Sequence, residues 1–210
     1  MIPDPVATLF TNFRLLPLRQ ALRLPIILAW GSRLFGSKGS ILIEGPVQLG
    51  MIRIGFGNVG IFPRRAAIIR NQGRIIFRGA CHLGHGVRIE NGGYLEFGND
   101  FHVTAESRFW CSESMVFGNG VLISWDCLFM DTDGPHQIYI NGIKQKKSVP
   151  VIIGDRVWIG CRVTCLKGSG IASDSVVGAC SLVNSVHAET HVLLAGVPAT
   201  VRRRSIRWTK

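Results

Sequence analysis

An all-β solenoid of three-sided coils is the fold class this sequence predicts, on three observations. From Ile153 onward, Ile153, Ile159, Cys165, Ile171, Val177 and Val183 recur every six positions. Upstream the rhythm continues in sets of three that start 20 residues apart: Phe77, Leu83 and Ile89, then Phe97, Val103 and Phe109, then Phe117, Ile123 and Phe129. Glycine supplies 25 of 210 residues in a chain that is 47% hydrophobic, which points to a folded core with many tight turns.

Residues 1–38 read as an N-terminal helical segment. Apolar residues there fall at mixed helical spacing, and Pro17 and Pro25 break them into one or two short helices. Arg14, Arg19, Arg23 and Arg33 alternate with leucines. Such a segment either caps the open end of a solenoid or lies on a membrane surface. Residues 39–201 read as the solenoid. Ile54-Gly55 and Ile61 mark an irregular first coil. In the later hexads a small residue often follows the apolar one, as in Gly154, Gly160 and Gly178. Four positions on come Val157, Val163, Ser169, Ser175 and Ser181, small enough to point inward. Three such hexads close a coil of about 18 residues, and stacked coils bury a continuous core. In the upstream sets each coil carries about two more residues at a corner. Residues 202–210 read as a basic tail, with Arg202, Arg203, Arg204, Arg207 and Lys210.

The formal net charge is +11, which favours anionic partners, although solubility alone would also use it. No aromatic-basic motif for nucleic acid accompanies the charge. Six cysteines lie at 81, 111, 127, 161, 165 and 180 without a CxxC pair, and most occupy small-residue positions of the repeat. Reduced thiols and a cytoplasmic protein are therefore expected, at the inner face of the membrane if the N-terminal segment docks there. The first 13 residues carry no positive run, so no secretory leader is expected. The apolar run Leu24 to Trp30 is too short to span a bilayer.

The stretch IIGDRVWIGCRVTCLKGSGIASDSVVGACSLV, followed by LLAGVPATVRR, resembles the hexapeptide-repeat acyltransferases. The likeness is to the branch of galactoside, maltose and polysaccharide O-acetyltransferases, over roughly residues 75–204. It implies a left-handed parallel β-helix, acetyl-CoA as donor, a homotrimer and a saccharide acceptor. The handedness comes from the resemblance alone, since ordinary parallel crossovers are right-handed.

The rhythm breaks once. After Phe129 the next coil is due near residue 137 but begins at Ile153, so about 16 residues are inserted, and residues 131–150 form a surface loop. The resemblance makes this the active-site loop and His136 its general base. An imidazole suits removal of a hydroxyl proton at neutral pH. Asp131, Asp133 or a main-chain carbonyl would orient the ring, and backbone N–H groups would hold the oxyanion. The family pattern is D-x-D-x-H. Here Gly134 and Pro135 give D-x-D-x-x-H, one residue longer.

For the donor the resemblance implies Trp158, Gly160, Cys161, Gly178, Ala179, Asn184 and Arg203. Asn184 stands where some relatives carry a Thr-Lys pair, and Thr200 replaces one of two arginines flanking the Pro motif. Glu106 takes the place of an acceptor-contacting asparagine, which implies a different acceptor. No metal is expected: zinc needs three converging ligands, and His82, His85, His102, His187 and His191 do not have the spacing of zinc-binding relatives of this fold. A serine or nucleotide-linked amino-sugar acceptor, or a non-catalytic scaffold, are the competing readings. A scaffold would not need the histidine loop.

Overall fold

The computed structural model describes residues 1–36, 38–57 and 60–209. The chain forms a left-handed parallel β-helix whose strands line up in three long sheets. Each of the first seven coils contributes one strand to each sheet, and neighbours along the stack pair in parallel until the last strand.

The apolar periodicity of the sequence is the pairing register. Phe77 pairs with Phe97, Phe97 with Phe117, Phe117 with Ile153 and Ile153 with Ile171. Leu83, Val103, Ile123, Ile159 and Val177 form a second ladder, and Ile89, Phe109, Phe129, Cys165 and Val183 a third. All of these side chains are buried. Phe77, Phe97 and Phe117 stack at 5.5 and 5.9 Å, and Phe109 lies 4.9 Å from Phe129. Each fully buried side chain of this kind contributes about 1.5–3 kcal/mol. The inward serines are also buried; Ser169 and Ser181 donate to the carbonyls of Val183 and Gly178.

The β-helix begins earlier than residue 39. Helices α1 (Pro5–Leu15) and α2 (Leu18–Ala21) are followed at once by β1 (Ile26–Leu28), β2 (Arg33–Phe35) and β3 (Ser40–Ile43). These three strands are the first coil, and each pairs in parallel with the second. Short strands separated by single turns leave too little periodicity to distinguish them from a helical run. Ile61 is exposed rather than inward: residues 60–66 form no strand, and Ile69 takes the core position.

Helix α1 starts at Asp4, whose carboxylate accepts the Ala7 N–H at 3.0 Å, with Pro5 in the first turn. Pro17 ends it by forcing Leu16 into an extended conformation. The helix caps the outer edge of β1. Thr8 Oγ1 accepts the Leu28 N–H, and the Asn12 amide both accepts from Ile26 N–H and donates to Ile26 O. An otherwise unpaired edge is thereby satisfied. At the other end the strand Leu193–Gly196 pairs antiparallel with Ala199–Arg203. The C-terminal segment is thus not a solvated tail. It folds back so that Trp208 Nε1 donates to Arg156 O and its ring lies 6.1 Å from Trp158.

Candidate active site

The 131–150 loop leaves the fifth coil at the corner between the second and third sheets, after Leu128–Met130 and before Val151–Ile153. It carries a small hairpin, Tyr139–Ile140 against Ile143–Lys144, and a bridge between Thr132 and Ser148 closes its base. Gly134 has φ +68, a conformation that favours glycine, and lies against the Trp110 ring. The residue in excess of the family spacing thus lies in a tight turn directly ahead of His136.

His136 is exposed, and among the described residues no hydrogen-bond partner meets its ring. Asp131 was expected as one candidate to orient it. Its carboxylate is instead fully buried and accepts the N–H groups of Ser112, Glu113 and Ser114, each at 2.8 Å. This anchors the loop to the turn of the coil before it, and the residue is committed to positioning. Asp133 pairs with Lys167, whose Nζ also donates to Lys146 O at 2.8 Å. Sequence reasoning missed Lys167 and Trp110, because both sit at ordinary repeat positions and only the folded loop brings them to it.

The donor candidates lie elsewhere. Trp158 opens the sixth coil, half-exposed, and donates from Nε1 to Ser124 Oγ at 3.2 Å. Gly160, Cys161, Gly178 and Ala179 follow at the corner between the first and second sheets, in the sixth and seventh coils. A Cβ on Gly160 would come within 2.8 Å of Ala179 N, so this glycine is required for coil stacking whatever else it does. Cys161 is half-buried and free, like the other five cysteines. Burial pushes the Cys127 thiol up to about 11 and those of Cys111 and Cys165 higher, so these three act as apolar side chains. Asn184 is exposed on the corner that carries the loop, two coils further along. Arg203 ends the antiparallel strand, and its guanidinium donates to Arg202 O.

Glu106 stands on the same corner as Gly160 and Gly178, in the fourth coil. Its φ is +52, and Asp126, Arg162 and Cys180 repeat that left-handed conformation at the same corner of the following coils. The coil geometry imposes it, at a cost of about 1–2 kcal/mol per residue. The Glu106 carboxylate lies over Gly86, 3.7 Å from Arg65 and 3.8 Å from His85 Nδ1. One edge of the prism thus carries Glu106 together with Gly160, Cys161, Gly178 and Ala179, whereas Asn184 and Arg203 lie off it. The loop with His136 springs from the next edge. Among the described residues no group of three or more His, Cys, Asp or Glu is placed to hold a metal ion.

No family model matches the chain. Over 189 residues it is 30% identical to an Escherichia coli (strain K12) protein provisionally named lipopolysaccharide biosynthesis O-acetyl transferase WbbJ, covering 84% of this chain and 93% of that one. It is 32% identical over 119 residues to the galactoside O-acetyltransferase of the same organism, covering 56% of this chain and 57% of that one. The solved polySia-specific acetyltransferase NeuO superposes with a TM-score of 0.53 at 20% identity, over 85% of this chain and 72% of that one. The repeat, the fold and these similarities define an acyltransferase, and the chain belongs to the hexapeptide-repeat O-acetyltransferase family.

Proposed function

We propose that the protein transfers acetyl from acetyl-CoA to a hydroxyl of a saccharide in surface-polysaccharide or glycoconjugate synthesis, with His136 as general base. The observation that carries this reading is the placement of Glu106, Gly160 and Gly178 along one edge of the prism and of His136 on a loop from the next. In a homotrimer the loop of one subunit reaches the donor edge of its neighbour, and neither part is complete alone. The naming of the WbbJ relative for lipopolysaccharide biosynthesis supports a saccharide acceptor. Free cysteines and a CoA thioester donor both fit the cytoplasm.

The acceptor oxygen attacks the thioester carbonyl as His136 takes its proton. The tetrahedral intermediate collapses, the C–S bond breaks and His136 returns the proton to the departing thiolate. No covalent acyl-enzyme is required. The pantetheine arm would run along the Trp158–Gly160–Cys161 edge, and Arg203 with its arginine neighbours would meet phosphate. Asp133, held by Lys167, fixes the limb that carries His136.

The test is acceptor-dependent thiol release from acetyl-CoA across a panel of sugars, serine and nucleotide amino sugars. His136→Ala should lower the rate by about 10²–10⁴-fold without loss of CoA binding. Unchanged release in that variant would remove His136 as base. Response to serine or a nucleotide amino sugar alone would reassign the acceptor. Absence of both release and acetyl-CoA binding would favour a scaffold.

A further inference from the structure

Helix α1 is amphipathic in the inverse sense. The face it buries against the first coil is polar, with Thr8, Thr11 and Asn12 all buried. The face it turns outward is apolar. Val6 is 76% exposed, Phe10 61%, and Leu9 and Phe13 about half. Those four residues have the spacing i, i+3, i+4 and i+7, a single stripe of a helix. Leu18 in α2, Leu22 just after it and Trp30 after β1 are exposed apolar residues as well. Capping β1 needs the polar face alone, so the end-capping role leaves this stripe unexplained.

The charge around it has one sign. Residues 1–43 contain Arg14, Arg19, Arg23, Arg33 and Lys38, against a single acid, Asp4. Asp4 is buried and paired with Arg33 at 3.3 Å. Arg14 lies with its guanidinium 5.4 Å from the Phe10 ring centre, so its charge sits at the margin of the apolar stripe. No described helix is long and apolar enough to cross a membrane. An exposed apolar stripe with a cationic margin is complementary to the headgroup boundary of an anionic bilayer.

We propose that α1, α2 and Trp30 form a docking face by which the β-helix stands end-on upon an anionic lipid surface. If the acetyltransferase reading holds, the loop lies four coil spacings from that end, roughly 19 Å at ~4.8 Å per spacing, in reach of a membrane-tethered acceptor. Docking itself does not depend on acyl transfer, and neither does its test.

The full chain is floated with phosphatidylcholine vesicles, with or without roughly one-third phosphatidylglycerol. Deleting the segment would strip β1 and β2 from the first coil, so point variants are used. Binding to the anionic vesicles, weakened by salt, is the expected result. Phe10→Glu with Phe13→Glu, and separately Arg14→Glu with Arg19→Glu, should each reduce bound protein by at least ~10-fold while the melting temperature holds. No preference for anionic vesicles, or full binding by both variants, overturns the proposal. So does a Phe10→Cys variant that cross-links between copies equally with and without vesicles, since the face is then covered by a second chain.

Discussion

Lys167 bridges to Asp133 on the outgoing limb of the inserted loop and to the Lys146 carbonyl on the returning limb, so one side chain of the sixth coil clamps both. The pair is partly exposed, 25% for Lys167 and 22% for Asp133, and such pairs contribute at most about 1 kcal/mol to stability. Its effect lies in placement. Lys167→Met should leave the melting temperature nearly unchanged while trypsin cuts faster at Lys144, Lys146 and Lys147. Acetyl transfer should fall by roughly 10–100-fold, the loss associated with about 1 Å of misplacement. Normal turnover with a protease-sensitive loop would show that the clamp does not set the site.

Asp131 behaves differently because it is buried and accepts three backbone N–H groups. Asp131→Ala should destabilise the fold by about 2–3 kcal/mol, measured by urea unfolding. Any loss of activity should be largely recovered at lower temperature, where the fold is retained. A stable Asp131→Ala protein that is inactive at every temperature would return Asp131 to the chemistry.

Gly160 tests stacking against cofactor contact. An added methyl meets Ala179 N and Val177 O at 2.8 and 2.9 Å, both backbone atoms that cannot move cheaply. Gly160→Ala should therefore cost about 1–3 kcal/mol of stability in the absence of any CoA. Unchanged apo stability with weakened CoA binding would instead assign the glycine to the cofactor alone.

His82 sets a pH dependence. Burial, with His102 stacked 4.4 Å away, holds its imidazole down to about 4 in the folded chain. The unfolded chain takes up this proton near 6.5, whereas the native chain does not until about 4. The contribution is thus complete above pH 6.5 and declines as pH falls toward 4. Burial also lowers the pKa of His85, which adds in the same direction. Denaturation midpoints should drop across this window, and His82→Asn should flatten the slope by up to about 1.4 kcal/mol per pH unit. An identical slope in the variant would dismiss His82 as a source.

Fold and loop were legible because a solenoid repeats one local problem. Every coil must place an apolar side chain inward at the same register, so Phe77, Phe97, Phe117, Ile153 and Ile171 announce their pairing in their spacing. The break after Phe129 was equally visible, since a strict rhythm makes an insertion conspicuous. The start of the first coil was not, because β1 and β2 follow closely on two short helices, and twelve positions separate Phe56 from Ile68, which displaces the repeat.

The sequence by itself determined the three-sided coil, the inserted loop and the family resemblance, all properties of local pattern. Tertiary structure alone decided that Asp131 serves the turn at residues 112–114, that Lys167 clamps the loop and that Trp208 returns to Trp158. It also decided that α1 buries its polar face. These depend on which unpaired backbone groups lie nearby: Asp131 meets three free N–H groups, and Thr8 and Asn12 meet the open edge of β1. Such groups exist only once distant coils have stacked, so no spacing along the chain encodes them.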